Sequence, residues 1–129
     1  MLTPDNLADH LRTGGRGEEA AYLYLRKHGY TMVGRNFRTP KRRGEIDLIG
    51  WHEGAGCFVE VKTGTMHDVK PAAAAVDREK RRDVLAVARE YLRHMPAPCP
   101  WRLEVVSVYY GQPAVQPQIE VFRNVPSQG

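Results

Sequence analysis

Three ionised groups, Asp47, Glu60 and Lys62, stand inside two apolar segments rich in β-branched residues, 45–51 and 57–63. Side chains on a strand repeat with period two, so Glu60 and Lys62 share one face while Val59 and Val61 share the other. The gap between the segments decides where Asp47 falls. A hairpin closed either by a two-residue turn at Glu53-Gly54 or by a four-residue loop from His52 to Ala55 puts Asp47 directly across from Glu60. Facing residues of that kind have Cβ atoms about 4.5 to 5.5 Å apart. Two carboxylates so close repel unless a cation lies between them, and Mg²⁺ favours oxygen ligands of this type. The pattern reads as a metal site with a lysine beside it. The plain alternative is a solvent-facing strand surface on which Glu60 and Lys62 form an ion pair of small energetic weight.

Charge placement around this pair supports the chemical reading. The chain carries 19 Lys and Arg against 15 Asp and Glu, a net charge of +4 and a sequence pI near 9.3, which suits a polyanionic partner without requiring one. Arg35, Arg38, Lys41, Arg42 and Arg43 crowd the stretch just before the acidic segment, with Asn36 and Phe37 among them. A basic, proline-containing loop there could hold a phosphate backbone while a metal acts on it; the alternative is a solvated surface loop. Cys57 and Cys99 lack metal-ligand spacing and read as free thiols. With no apolar leader or membrane-length apolar run, the expectation is a cytoplasmic protein that does not enter a membrane.

The elements that must position these groups can be read from periodicity. At 129 residues the chain is sized for one domain, expected over 15–123 between an N-terminal segment, 1–14, and a C-terminal tail, 124–129. A short helix is expected over 3–12, ended by Gly14-Gly15, and a firmer one over 17–28, stopped by a left-handed residue at Gly29. Glu18, Ala21, Tyr22 and Leu25 form its sheet-facing stripe, which gives Glu18 an inward position; stabilising the helix N-terminus is the commoner role for an acid there. Strands follow over 30–37, 45–51 and 57–63, then a long helix over 71–95 and strands over 101–110 and 118–122. On the long helix Lys80 is the one cation of the apolar stripe Lys80, Val84, Val87 and Tyr91. Its stem is expected to lie over apolar surface, with a reach back to the acidic face of the sheet as the other option. The order helix, three strands, helix, two strands predicts a mixed α/β sheet flanked by helices.

Gly17-Glu18, Gly29-Tyr30, Arg35-Asn36, Gly44-Glu45-Ile46-Asp47-Leu48-Ile49 and Phe58-Val59-Glu60-Val61-Lys62 together resemble the YraN-like uncharacterised protein family. That family is similar to the PD-(D/E)XK nuclease superfamily of restriction-endonuclease-like and Holliday-junction-resolvase-like proteins. The resemblance spans roughly residues 15–110. It implies a restriction-endonuclease-like mixed sheet of about five strands and a nuclease acting on DNA with Mg²⁺ or Mn²⁺. It further implies that Asp47, Glu60, Glu18 and the Val61 carbonyl hold metal, with Lys62 completing a catalytic set of Glu18, Asp47, Glu60 and Lys62. Arg35, Arg38, Lys41, Arg42, Arg43 and Lys80 are the expected nucleic-acid contacts, and resolvase-like members commonly act as homodimers. Ile46 stands where the superfamily name has proline, Gly64 where a basic residue is often found, and Leu103-Glu104-Val105-Val106 where Phe-Asp-Val-Val is frequent. Two other readings stay open: a binding module that grips nucleic acid without cutting it, and a protein-interaction adaptor using the apolar stretch Val115 to Val125.

Overall fold

The computed structural model describes residues 14–64, 78–111 and 116–123. Its elements run α1 (Gly14–Lys27), β1 (Thr31–Phe37), β2 (Ile46–His52), β3 (Ala55–Gly64), α2 (Arg78–Leu92), β4 (Trp101–Tyr109) and β5 (Gln118–Arg123). The expected order is present. One boundary differs in kind: Gly14 and Gly15 open α1 instead of closing an earlier helix. The expected helix over 3–12, the 71–77 part of the long helix, and residues 112–115 and 124–129 lie outside the described residues.

The five strands form one sheet in the order β1-β2-β3-β4-β5. All neighbours are antiparallel except β3 and β4, which are parallel. A parallel neighbour cannot be reached by a tight turn, and the chain between β3 and β4 carries α2. The result is the mixed, helix-flanked sheet of the restriction-endonuclease-like kind.

Alternation along the strands sorts the core into two layers. Leu48, Cys57, Val59, Val106 and Val108 pack with Ala21 and Leu25 of α1 and with Tyr30. Ile49 and Phe58, each one step along from Leu48 and Val59 on the opposite sheet face, pack with Val84, Val87 and Ala88 of α2. The helices therefore cover opposite faces. At Gly17 α1 approaches the sheet closely: a Cβ there would lie 1.8 Å from the Thr63 hydroxyl.

The two hairpin options resolve to the shorter. Glu53 (φ 51°) and Gly54 (φ 79°) are both left-handed, as a two-residue type I′ turn demands. Pairs run from His52↔Ala55 to Leu48↔Val59 in the expected register and stop there; Asp47, expected directly across from Glu60, instead accepts the Val61 N–H. Gly29 is also left-handed, at φ 92°, and ends α1 as expected.

Toward the turn end of this hairpin the sheet holds a buried charge. Glu104, 1 % exposed, accepts the Tyr30 hydroxyl at 2.9 and 3.0 Å through its two oxygens. Arg102 pairs with the same carboxylate and reaches His52 Nδ1 at 2.8 Å, while the His52 ring stacks on Tyr30 at 4.1 Å. Burial works against the Arg102 charge, but Glu104 and Tyr30 outweigh it and raise its pKa. Burial also pushes the neighbouring Cys57 thiol up to about 12, with Glu104 adding to it, so Cys57 is poorly reactive as a nucleophile. Both Cys57 and Cys99 are free, as expected.

Candidate metal centre

At the other end of the hairpin, α1 and the start of β2 converge on a small volume. Glu18 comes from α1, next to the close approach at Gly17; Asp47 comes from β2; and Glu45 comes from the residue just before β2. Carboxylate oxygens of all three lie within 4.8 Å of one another. Asn36, near the end of β1, donates from Nδ2 to Glu18 at 3.2 Å and to Glu45 at 3.1 Å. It does so from a left-handed backbone, φ 50°, which asparagine tolerates better than most residues. Arg38 holds the second oxygen of Glu45 at 2.9 Å. The Val61 peptide N–H donates to Asp47 at 2.8 Å, locking that side chain where the β2–β3 pairing runs out.

Glu60 sits beside this trio and not within it. Its Oε1 faces Lys62 Nζ at 3.3 Å, so the Glu60 and Lys62 side chains do share a face. The same oxygen is paired with Lys80 Nζ. Of the two options for Lys80, the reach back to the sheet is the one realised, because α2 covers the face on which Glu60 stands. Burial works against the Lys80 charge, yet Glu60 more than offsets it and the Lys80 pKa rises.

The electrostatic balance falls unevenly on Asp47. Burial pushes its pKa up to about 6, and the charges of Glu18 and Glu60 add to the effect, against the Val61 N–H and Lys80. Crowded carboxylates that lack a matching positive charge are a setting into which a divalent cation fits, and the donors here are hard oxygens of the type that Mg²⁺ and Mn²⁺ take.

The basic run behaves differently from its appearance in the sequence. Arg35 pairs with Glu19 at 2.9 Å and lies over the Tyr22 ring at 3.8 Å. Arg38 is engaged with Glu45, and Arg42 faces Glu90 at 3.9 Å. Lys41 and Arg43 are exposed and have no ion-pair partner among the described residues. Three of the five cations are thus partly neutralised inside the protein.

Two residues that the sequence reading did not place in the site belong to this geometry. Glu45 stands two residues before Asp47, the spacing of one strand face, so period two alone could have added it. Asn36 carried no comparable signal, because its role depends on a left-handed turn of the backbone. Among the described residues no helix is long and apolar enough to cross a membrane.

Comparison with known proteins bears on the same stretch of chain. A family model described as "Uncharacterised protein family UPF0102" matches residues 17–108, which include Glu18, Glu45, Asp47, Glu60 and Lys62. A UPF0102 protein of Koribacter versatilis is 52% identical over 124 residues, covering 96% of this chain and 85% of its own. One from Solibacter usitatus is 43% identical over 113 residues, 85% of this chain and 82% of its own. Another from Roseiflexus castenholzii is 35% identical over 111 residues, 84% and 88% respectively. The chain belongs to the uncharacterised protein family UPF0102, the YraN-like family.

Proposed function

We propose that this protein is a metal-dependent nuclease that hydrolyses phosphodiester bonds in DNA, with branched or damaged structures as its substrates by analogy with resolvases. The observation that carries the reading is the meeting of the Glu18 carboxylate of α1 with those of Glu45 and Asp47 at the start of β2 within 4.8 Å, beside a Glu60 and Lys62 pair at 3.3 Å. Stability alone does not favour such crowding, whereas phosphoryl chemistry uses it.

Glu18, Glu45 and Asp47 would hold Mg²⁺ or Mn²⁺, with Glu60 and the Val61 carbonyl as the further donors that the superfamily resemblance implies. A divalent cation bound there supplies positive charge to the phosphoryl oxygens and makes a coordinated water more acidic. Asn36 and Arg38 orient Glu18 and Glu45. Lys80 restrains Glu60. Lys62 presents its ammonium group beside Glu60, where it would orient the attacking water or stabilise charge developing on the phosphate.

One observation favours a second reading, a nucleic-acid-binding module without cleavage: the Glu60 carboxylate already has two lysines, as a purely structural cluster could. The deciding assay is cleavage of labelled linear, flapped and four-way-junction DNA with Mg²⁺ or Mn²⁺. Lys62→Ala and Asp47→Ala should each abolish cutting, and the double variant should be scarcely worse than either, because residues of one catalytic unit are not additive. Salt-sensitive binding with no cutting by any variant would select the second reading.

A further inference from the structure

The cations left without partners form a surface of their own. Arg82 and Arg89 of α2 and Arg93, in the turn that closes it with its N–H on the Arg89 carbonyl at 3.2 Å, are exposed and follow the spacing i, i+7, i+11, which is one helix stripe. Val84, Val87 and Ala88 of the same helix are buried against the sheet, so the stripe points away from it. None of the three arginines has an ion-pair partner among the described residues, in contrast to Arg35, Arg38 and Arg42. Of the acids of α2, Glu79 stands one turn before Arg82, and the other two lie to the flank. Asp83 packs beside Gly44, where an added Cβ would meet it at 3.0 Å, and Glu90 faces Arg42.

Helix electrostatics explains only part of this arrangement. Cations in the last turn complement the helix dipole, which accounts for Arg89 and Arg93. Arg82 lies toward the opposite end of α2, where the dipole disfavours a cation. Like charges four residues apart, as at Arg89 and Arg93, also weaken a helix. The stripe joins a second element: Lys41 from the β1–β2 connection and Arg93 and His94 just past α2 border one cavity of about 400 Å³, which Phe37, Pro40 and Glu90 also line. Eleven residues of helix separate Arg82 from Arg93, about 16 Å of rise, close to five steps along one strand of a duplex at about 3.4 Å each.

We infer that the outward stripe of α2, Arg82, Arg89 and Arg93, together with Lys41 and Arg43, is a docking surface for the phosphate backbone of a nucleic-acid duplex, separate from the acidic cluster. The choice of nucleic acid over other polyanions rests on the proposed nuclease reading. Binding at this surface needs no divalent metal and no intact acidic cluster.

The test is fluorescence anisotropy of a labelled 20-base-pair duplex in EDTA across a KCl series, with the wild-type chain, Asp47→Asn, and the triple variants Arg82→Gln/Arg89→Gln/Arg93→Gln and Arg82→Lys/Arg89→Lys/Arg93→Lys. Three lost phosphate contacts should reduce the slope of log K against log salt by about 2.7. The lysine triple and Asp47→Asn should keep the wild-type slope. If the glutamine triple does not fold by circular dichroism, the single Arg89→Gln and Arg93→Gln variants should each lower the slope by about 0.9. An unchanged slope in the glutamine variants, or no salt-dependent binding by the wild type, overturns the docking surface. Metal-dependent cutting of DNA is scored separately, so a nuclease with an unchanged slope refutes only this inference, and a slope change without cutting refutes only the nuclease reading.

Discussion

Two groups of acids occupy the same sheet and are treated in opposite ways. Glu104 is the more deeply buried, yet both of its oxygens accept hydrogen bonds and a guanidinium lies against it. Glu18, Glu45 and Asp47 are only half-buried, yet their three charges meet with less compensation, and Asp47 is pushed up to about 6. Burial by itself therefore does not distinguish a structural acid from one set up for chemistry. What distinguishes them is whether the surrounding groups complete the charge balance.

The strongest way to break this contrast is to remove Glu104. Glu104→Ala leaves the half-buried Arg102 and the Tyr30 hydroxyl without their carboxylate and should cost about 3 kcal/mol in urea unfolding. Replacing both partners, as in Arg102→Met/Glu104→Leu, should cost much less than the single change. A loss near zero for Glu104→Ala would mean that the buried network is no better balanced than the half-buried trio.

Next in size is Asp47. Its folded pKa of about 6 lies above the ordinary carboxylate value, so the folded state binds the proton more tightly than the unfolded state. That contribution to stability is present below about pH 4 and is lost as pH rises through about 6. Without divalent metal, Asp47→Asn should stabilise the protein at pH 8, by at most about 3 kcal/mol, and leave it unchanged near pH 4. Thermal melts at the two pH values check the sign. Destabilisation at pH 8 would show that Asp47 is compensated after all.

The smallest effect sharpens how the trio is positioned. Gly17→Ala should cost about 1 kcal/mol net, since an overpacking cost of about 1 to 3 kcal/mol is offset in part by better helix propensity. Adding Thr63→Gly should recover it, because the clash is with the Thr63 side chain. Failure to recover would place the strain elsewhere along α1.

Much of this architecture was readable in the residues. The β2–β3 register followed from Gly54 in a two-residue turn and from apolar alternation on either side, both local signals. The inward stripes on α1 and α2 followed from helical spacing at Ala21, Leu25, Val84 and Val87. Partnerships across long sequence separations were not readable. Arg42 meets Glu90 and Lys80 meets Glu60 only because α2 folds over that face, and Arg35 meets Glu19 across the β1–α1 junction. A dense basic run looked available to a ligand because the acids that answer it are supplied by other elements. Asn36 was opaque for a different reason: its position between Glu18 and Glu45 comes from a backbone conformation that spacing rules for strands do not contain.

The Glu53-Gly54 turn lies about 20 Å from Asp47 at the rise of a strand and touches none of the acids of the trio. Surface turns usually accept an inserted residue at little cost. Here one extra residue would slide β2 against β3 and carry Asp47 away from the Val61 N–H that holds it. A loop tip remote from the chemistry thus works as the gauge that sets the alignment of the acids, and length variation at 53–54 would be tolerated by the fold sooner than by the site.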